Sequence, residues 1–298
     1  AEVTYRCTSE NAYPAWMWTY EGGSHLAPLP KTSEWLTVAK SIQHFGFPKR
    51  IDNIIFRLYS ASRTSESLEI KSIRFRSMTP EETEALERNY ASLKKQFNAK
   101  TSPQLSKFIP LGVYMDTTTA KRLAQMLNIS MDEYWDLVME DLLTHNHNTI
   151  ALAHIDQLTP EEWDSLLSRC AEHNIKLVPR HDYPINGSKE EQERIIETCI
   201  TPYADSDVIF CHNLTGEPTE CSFTKILEAK EAFEAADPNH PLAILTRYPN
   251  AYGLYAPFFQ ASGVGHFRTR TPWACGDMVR THLPLSKSQQ FWVGAPAF

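Results

Sequence analysis

The chain has 298 residues, 42% of them hydrophobic and 22% charged, a composition that excludes wholesale disorder and leaves room for two domains or one barrel with an appendage. Its 36 acidic and 29 basic residues give a formal charge of −7 with no run of lysine or arginine, so it carries no electrostatic footprint for nucleic acid. No apolar stretch reaches the ~20 residues that a membrane-spanning helix requires, which removes the membrane as an expected partner.

Residues 1–78 read as β structure. Five short runs stand out, EVTYRCTS, AWMWTYEG, EWLTVAKSI, NIIFRLYSA and SLEIKSIRFRS, separated by turn-rich stretches such as EGGSHLAPLPKTS. In LEIKSIRF, Leu68, Ile70, Ile73 and Phe75 fit one buried face only if a bulge intervenes. This spacing predicts a partial β-sandwich with Trp16, Trp18 and Trp35 in its core. The six cysteines, Cys7, Cys170, Cys199, Cys211, Cys221 and Cys275, lack CxxC spacing and read as buried apolar side chains.

Residues 79–107 form a linker. Thr79, Pro80 and Glu82 make a capping box that starts a helix, whose Leu86, Tyr90, Leu93 and Phe97 share one face suited to docking between domains. From 108 to 298 the texture changes to alternating strands and helices. FIPLGVYM is the first expected strand, and TIALAHI, IKLVPR, DVIF, PLAILTR, VGHFR and FWVGAPAF follow. Capping boxes at Ser130/Glu133, Thr159/Glu162 and Ser188/Glu191 start the intervening helices. These seven steps predict an α/β fold, a (β/α)8 TIM barrel whose last unit is missing or weak. A doubly wound open sheet is the structural rival. The chain starts at Ala1 without an initiator methionine and stops inside an expected strand, so it reads as a piece of a longer polypeptide.

Barrel active sites lie at the carboxyl ends of the strands. In order, those ends carry Asp116; His154 and Asp156; Arg180, His181 and Asp182; His212, Asn213 and Glu217; Arg247 and Tyr248; and His266, Arg268, Arg270 and Trp273. Glu217 stands out because Pro218 biases it toward an extended backbone, which aims its carboxyl in one direction. Its bland alternative is a helix-entry carboxylate that caps exposed N–H groups. His154, His181, His212 and His266 come from four strand ends and offer a metal-dependent hydrolase as a rival, whereas His145 and His147 fall at a helix end on the wrong side of the barrel. The arginines suit an anionic polysaccharide or, equally, structural ion pairs.

A β-sandwich, a TPEE helix and then a barrel resembles a carbohydrate-active enzyme with a carbohydrate-binding-like module in front. NLTGEPTE resembles the strand-four signature of retaining barrel glycoside hydrolases, and FIPLGVYM, MDEYWDLVMEDLLTHNHNTIALAHI and FWVGAPAF are similar to segments of that group. The resemblance implies glycosidic hydrolysis with Glu217 as acid/base, and it implies no cofactor and no metal. It places the sugar against His154, Arg180, His181, His212, Asn213, Arg247, Tyr248, Arg268 and Trp273. Gly216 departs from the family's asparagine or aspartate, and FWVGAPAF lacks the family's nucleophilic glutamate, so the second carboxylate either lies beyond Phe298 or comes from another strand end, where Asp182 and Asp116 are the candidates. A binding protein that has lost its nucleophile is the non-catalytic alternative. The implied partner is a carbohydrate, and a secreted or periplasmic location would suit degradation of a polysaccharide.

Overall fold

The structure is a computed structural model that describes residues 2–7, 12–20, 23–30, 32–39, 53–60, 67–96, 102–181, 183–185, 187–215, 223–246, 255–265 and 289–294. The first region forms two antiparallel sheets. In one, β1 (Glu2–Cys7) lies between β4 (Leu36–Ala39) and β6 (Leu68–Arg74); in the other, β2 (Ala12–Tyr20) lies between β3 (Gly23–Pro28) and β5 (Asn53–Ser60). One apolar cluster joins Val3 and Tyr5 of the first sheet to Trp16, Ile54 and Phe56 of the second.

Three expectations change here. GSHLAP, read as part of a turn-rich separator, is strand β3 and pairs with β2 along its length. Trp35 is 43% exposed, with the Arg6 guanidinium 4.9 Å from its ring centroid, so it is not a core residue. The bulge in β6 is present: Thr4 faces Ser72 while Tyr5 faces Ile70, leaving Lys71 unmatched. It does bring Ile70 and Ile73 opposite the buried Tyr5 and Val3. Because β6 is an edge strand, however, those isoleucines stay 40% and 43% exposed, and Phe75 is exposed as well. Trp18 has no described side-chain environment.

Helix α1 (Pro80–Gln96) starts as its sequence dictates. The Glu82 amide donates to Thr79 Oγ1 at 3.2 Å, and the Thr79 amide donates to Glu82 Oε2 at 2.9 Å. Arg76 ties the helix to the first sheet by reaching Glu2 of β1 at 3.0 Å and Glu82 at 2.6 Å. At the other end of α1, Tyr90 and Leu93 pack on the core of the following region, with Tyr90 5.8 Å from Phe258. Phe97 lies outside the described residues.

The second region is built on seven parallel strands: β7 (Gly112–Asp116), β8 (Thr149–Ala153), β9 (Lys176–Arg180), β10 (His212–Asn213), β11 (Leu242–Thr246), β12 (Ala261–Gly265) and β13 (Gln290–Gly294). They lie side by side in chain order, β7 and β13 being the edges among the described residues. The strand order never reverses, so the doubly wound rival is excluded. The sheet is a curled parallel half-barrel, and alternate residues along each strand serve two cores.

Outward residues pack under helices. Ile150, Leu152, Leu177 and Ile209 meet Trp135 and Leu142 of α4 (Met131–Thr144) and Trp163 and Leu166 of α5 (Pro160–Glu172). Leu242 and Ile244 meet Ile226, Leu227 and Phe233 of α7 (Phe223–Ala236). Inward, Ala151, Val178, Phe210, Cys211, Ala243, Ala261 and Trp292 converge on one cluster that the short helix α2 (Pro103–Lys107) plugs with Leu105. Gln290 holds the plug through its side-chain amide, which donates to the carbonyls of Leu105 and Phe108.

Capping boxes at Ser130/Glu133, Thr159/Glu162 and Ser188/Glu191 start α4, α5 and α6 (Lys189–Ile195) as expected. α6 continues into a π-helical turn over Ile196–Ile200. The first strand is shorter than FIPLGVYM: it begins at Gly112, and Phe108 packs on Phe210 inside the half-barrel instead. DVIF contributes only an isolated bridge between Ile209 and Leu177 ahead of the two-residue β10. Helix α3 (Thr117–Leu127), which the sequence reading passes over, follows β7 directly. Cys7, Cys170 and Cys211 are buried, Cys199 is half-buried, and Cys221 and Cys275 lie outside the described residues. Among the described residues no helix is long and apolar enough to cross a membrane.

Leu105 is 2% exposed and packs in a cluster with side chains of β8, β9, β11, β12 and β13 and with Phe210 and Cys211 just ahead of β10, so truncating it opens a cavity there. Leu105→Ala is expected to cost about 2–5 kcal/mol of unfolding free energy in urea denaturation. Leu137→Ala, at a position 51% exposed on α4, should change it by less than about 0.5 kcal/mol.

Candidate functional site

Strand parity decides which polar residues face the interior of the half-barrel. Val113 and Met115 pack outward under the helices, so Tyr114 and Asp116 of β7 point inward. Val178 is inward, and so is Arg180 two residues on; Cys211 is inward, and so is Asn213. Arg180 and Asn213 are also register partners across β9 and β10. The carboxyl ends of adjacent strands thus bring Tyr114, Asp116, Arg180 and Asn213 to one side of the sheet.

His154 joins them from the residue after β8. Its backbone is left-handed, with φ 57 and ψ 45, an uncommon state for a non-glycine residue without a short amide side chain. Among the described residues, the other positive-φ positions outside glycine are Asn128, Asn146 and Asn174. Here the turn swings the imidazole back over the strand ends. His154 Nε2 lies 2.8 Å from Arg180 Nη2 and 3.1 Å from Asp116 Oδ2. Nε2 therefore stands between a guanidinium, which can only donate, and a carboxylate, which can only accept. Arg180 also donates to the Tyr114 hydroxyl and lies 5.8 Å from that ring's centroid.

Asp116 has two tasks. Its Oδ1 accepts the Thr119 amide at 3.0 Å and caps α3, while Oδ2 faces His154. Its carboxylate is therefore held in one orientation, 31% exposed. Asn213 is 2% exposed, and its Oδ1 has no hydrogen-bond partner among the described residues. An unpaired buried acceptor is costly, so this oxygen marks a position where a polar group belongs.

His181 and His212 stand differently from the expectation that they line a sugar site. They alternate with Arg180 and Asn213 and so lie on the outer side, beneath α7, 2% and 1% exposed and packed on Phe233. His181 Nε2 is 3.1 Å from His212 Nδ1, and His212 Nε2 is 2.8 Å from Asp237 Oδ2. His240 Nδ1 is 2.7 Å from the same oxygen, and His240 Nε2 donates to the Ser206 carbonyl at 3.0 Å. Asp237 Oδ1 accepts the amides of Asn239 and His240, each at 3.0 Å. Asp237 and His240 escaped the sequence reading; the signal was the Asp-Pro-Asn-His turn after α7, in which an aspartate can bond the amides two and three residues ahead.

Burial pushes the His181 imidazole well below its ordinary value, assisted by His212, and burial likewise lowers His212 against the opposing pull of Asp237. For Asp237 burial works upward, but the bonds from His212 and His240 win and hold the carboxyl well below the usual carboxylate range. His212, Asp237 and His240 offer the donor types of a metal site. Their separations of 2.7 and 2.8 Å are those of hydrogen bonds, however, whereas ligands of one tetrahedral zinc ion stand roughly 3.3 Å apart. As arranged, the trio does not fit a metal ion. His145 closes the C-terminus of α4, and neither it nor His147 approaches this network.

Among the expected site residues, Asp116, His154, Arg180 and Asn213 share the inner side and His181 and His212 the outer. Glu217, Asp182, Arg247, Tyr248, Arg268 and Trp273 lie outside the described residues, as do His266 and Arg270. Tyr114 was missed by sequence reading although it sits two residues before Asp116 and so shares its face.

No protein-family profile matches the sequence, and no curated protein matches it. Several solved structures are similar in fold. One is a β-D-glucuronidase of Dictyoglomus thermophilum, at 10% identity and a TM-score of 0.43, covering 100% of this chain and 52% of that one. A β-glucuronidase from Ruminococcus gnavus has 11% identity, a TM-score of 0.40 and coverage of 96% and 48%. A structure described as a glycoside hydrolase has 14% identity, a TM-score of 0.34 and coverage of 46% and 53%. The chain therefore spans about half the length of the structures that it matches.

The two depressed histidines give the fold an acid sensitivity. The unfolded chain takes up protons on His181 and His212 as pH falls through about 6.5, and the folded chain does not, so stability declines as pH drops. Unfolding free energy should fall by about 1–2 kcal/mol per pH unit between pH 6 and 5. Asp237, whose contribution is present above its unfolded value near 4, adds to the loss only below that pH. Urea melts across this range check the slope.

Proposed function

We propose that this chain hydrolyses a glycosidic bond at the carboxyl ends of β7 to β10. The observation that carries this reading is the convergence of Tyr114, Asp116, His154, Arg180 and Asn213 from adjacent strands onto one side of a curled parallel sheet. Glu217, the proposed acid, follows Asn213 by four residues in the sequence, in the Gly-Glu-Pro junction. In this reading residues 1–78 are a carbohydrate-binding-like module, 79–107 the connector and 108–298 the catalytic region.

Glu217, kept protonated in the ground state, donates its proton to the leaving glycosidic oxygen as the C–O bond breaks, while a second carboxylate stabilises or attacks the oxocarbenium-like centre. The two carboxyls must stand within ~5–9.5 Å. Adjacent strands are ~4.8 Å apart, which puts Asp116 on β7, three strands from β10, beyond that reach, so Asp182, two residues after β9 in the sequence, is the preferred partner. Asp116 then serves to hold His154 and the start of α3, and Arg180 and Asn213 serve to bind sugar oxygens or an acidic substituent. His181 and His212 act from behind the strands as positioning groups.

A second reading has one observation in its favour. Strand β13, Gln290–Gly294, carries no carboxylate, and Gly216 stands where the resembled family has a side chain able to contact the sugar. A carbohydrate-binding protein without turnover fits that pattern. The two separate in one experiment, in which wild type and Glu217→Gln are assayed on a panel of chromogenic glycosides, neutral and uronic, with binding followed by calorimetry. Catalysis predicts a loss of about 100-fold to 10,000-fold in kcat for Glu217→Gln with binding retained. Undiminished turnover in that variant rejects Glu217 as the acid. Saturable binding with no turnover in either protein rejects the enzyme and supports the binding reading.

A further inference from the structure

The buried network beneath α7 has a proton count that its geometry fixes. Four contacts run in series: the Ser206 carbonyl to His240 Nε2 at 3.0 Å, His240 Nδ1 to Asp237 Oδ2 at 2.7 Å, Asp237 Oδ2 to His212 Nε2 at 2.8 Å, and His212 Nδ1 to His181 Nε2 at 3.1 Å. Each contact needs one proton. A carbonyl oxygen accepts only, so His240 Nε2 must carry hydrogen. Were His240 neutral, its Nδ1 would present a lone pair to a carboxylate oxygen at 2.7 Å, and two acceptors at that distance repel.

His212 cannot relieve the conflict. It lies between Asp237 and His181 and bonds both, so a proton it gives to one side must be matched by a proton from the other. The balanced arrangement has His181 Nε2 donating to His212 Nδ1 and His212 Nε2 donating to Asp237. The carboxylic acid form of Asp237 is the other place for the remaining proton, but its Oδ1 already accepts two amides and its Oδ2 accepts His212, all of which favour the ionised form. The depressed carboxyl of Asp237 agrees.

Three neutral imidazoles supply three ring protons and the four contacts require four. We infer that the network holds this fourth proton on His240 as a buried imidazolium paired with the Asp237 carboxylate. The pair is neutral as a whole, which is why it can be 1–5% exposed without a partner from solvent. Of the other charges on these elements, Lys230 and Glu234 of α7 pair with each other at 2.7 Å, and Asp205 accepts a hydrogen bond from the neutral Asn239 amide at 3.0 Å.

The pair has a positioning role. It fastens the turn after α7 to the ends of β9 and β10, one residue from Arg180 and from Asn213, so the outer network sets where these two inner side chains leave the sheet. This holds whether the inner site cleaves sugar, binds it or does neither.

The test is a long-range proton–nitrogen correlation on protein labelled with nitrogen-15 histidine, at pH 7.5, with each ring assigned by single substitution. The expected result is His240 with hydrogen on both ring nitrogens, and His181 and His212 each with hydrogen on one. A singly protonated His240 overturns the inference. Stoichiometric zinc in the purified protein, lost together with the network's resonances on chelation, overturns it as well. Asp237→Asn should lower the folding equilibrium constant by about a hundredfold or more, because it strands the buried imidazolium. A loss under about tenfold counts against the pair. Should that variant not fold, the wild-type spectrum decides alone.

Discussion

A parallel strand can follow its neighbour only by a crossover, and crossovers of one hand put every connecting helix on the same side of the sheet as long as the strand order never reverses. The seven strands from β7 to β13 run in strict sequence, so among the described residues their connecting helices lie on one face and none of them covers the other. Burying that second face is the constraint on which the region depends. The sheet meets it by curling until its inner side chains touch one another. Alanines at 151, 243 and 261 keep the concave side narrow, and Phe210, Trp292 and Leu105 fill what remains.

Curling also divides the strand ends into two chemical settings that alternate residue by residue. Arg180 points into the hollow, where Tyr114 and His154 receive its donors; His181, the next residue, points under a helix. The same switch separates Asn213 from His212. A polar group beneath a helix has no water to fall back on and must find protein partners, so the outer histidines are drawn into a chain of bonds with Asp237 and His240. On the inner side an acceptor such as Asn213 Oδ1 stands without a partner among the described residues. On the outer side the chain of bonds stops at His181, whose Nδ1 is likewise without a partner among the described residues.

Legibility in the sequence followed the range of the forces involved. Helix starts were readable because a capping box is closed by residues three apart, as at Ser130/Glu133 and Thr159/Glu162. Helix α3 was not, because three threonines in a row suggest a strand and the residue that caps them, Asp116, also looks catalytic. Trp35 reads as core by composition, yet its position beside Arg6 leaves it at the surface. Strand β10 shrank to two residues, which no local pattern foretells. For the candidate site, the strand-end residues were found from order alone, but their split between inner and outer sides depends on parity and curl together. The partnership of His212 with Asp237 and His240 spans residues 25 and more apart and was invisible until the chain was folded.

Gln289 and Gln290 fasten β13 to the plug helix by bonds to Ser102, Leu105 and Phe108, residues 182 to 187 positions earlier. During synthesis the plug leaves the ribosome near the beginning of this region and its latch near the end. Until the latch arrives, a nascent chain carries a trough of alanine, valine and phenylalanine side chains that nothing seals. Such an intermediate keeps apolar surface exposed for as long as translation takes to traverse the intervening strands, so β13 works as a clasp that closes late.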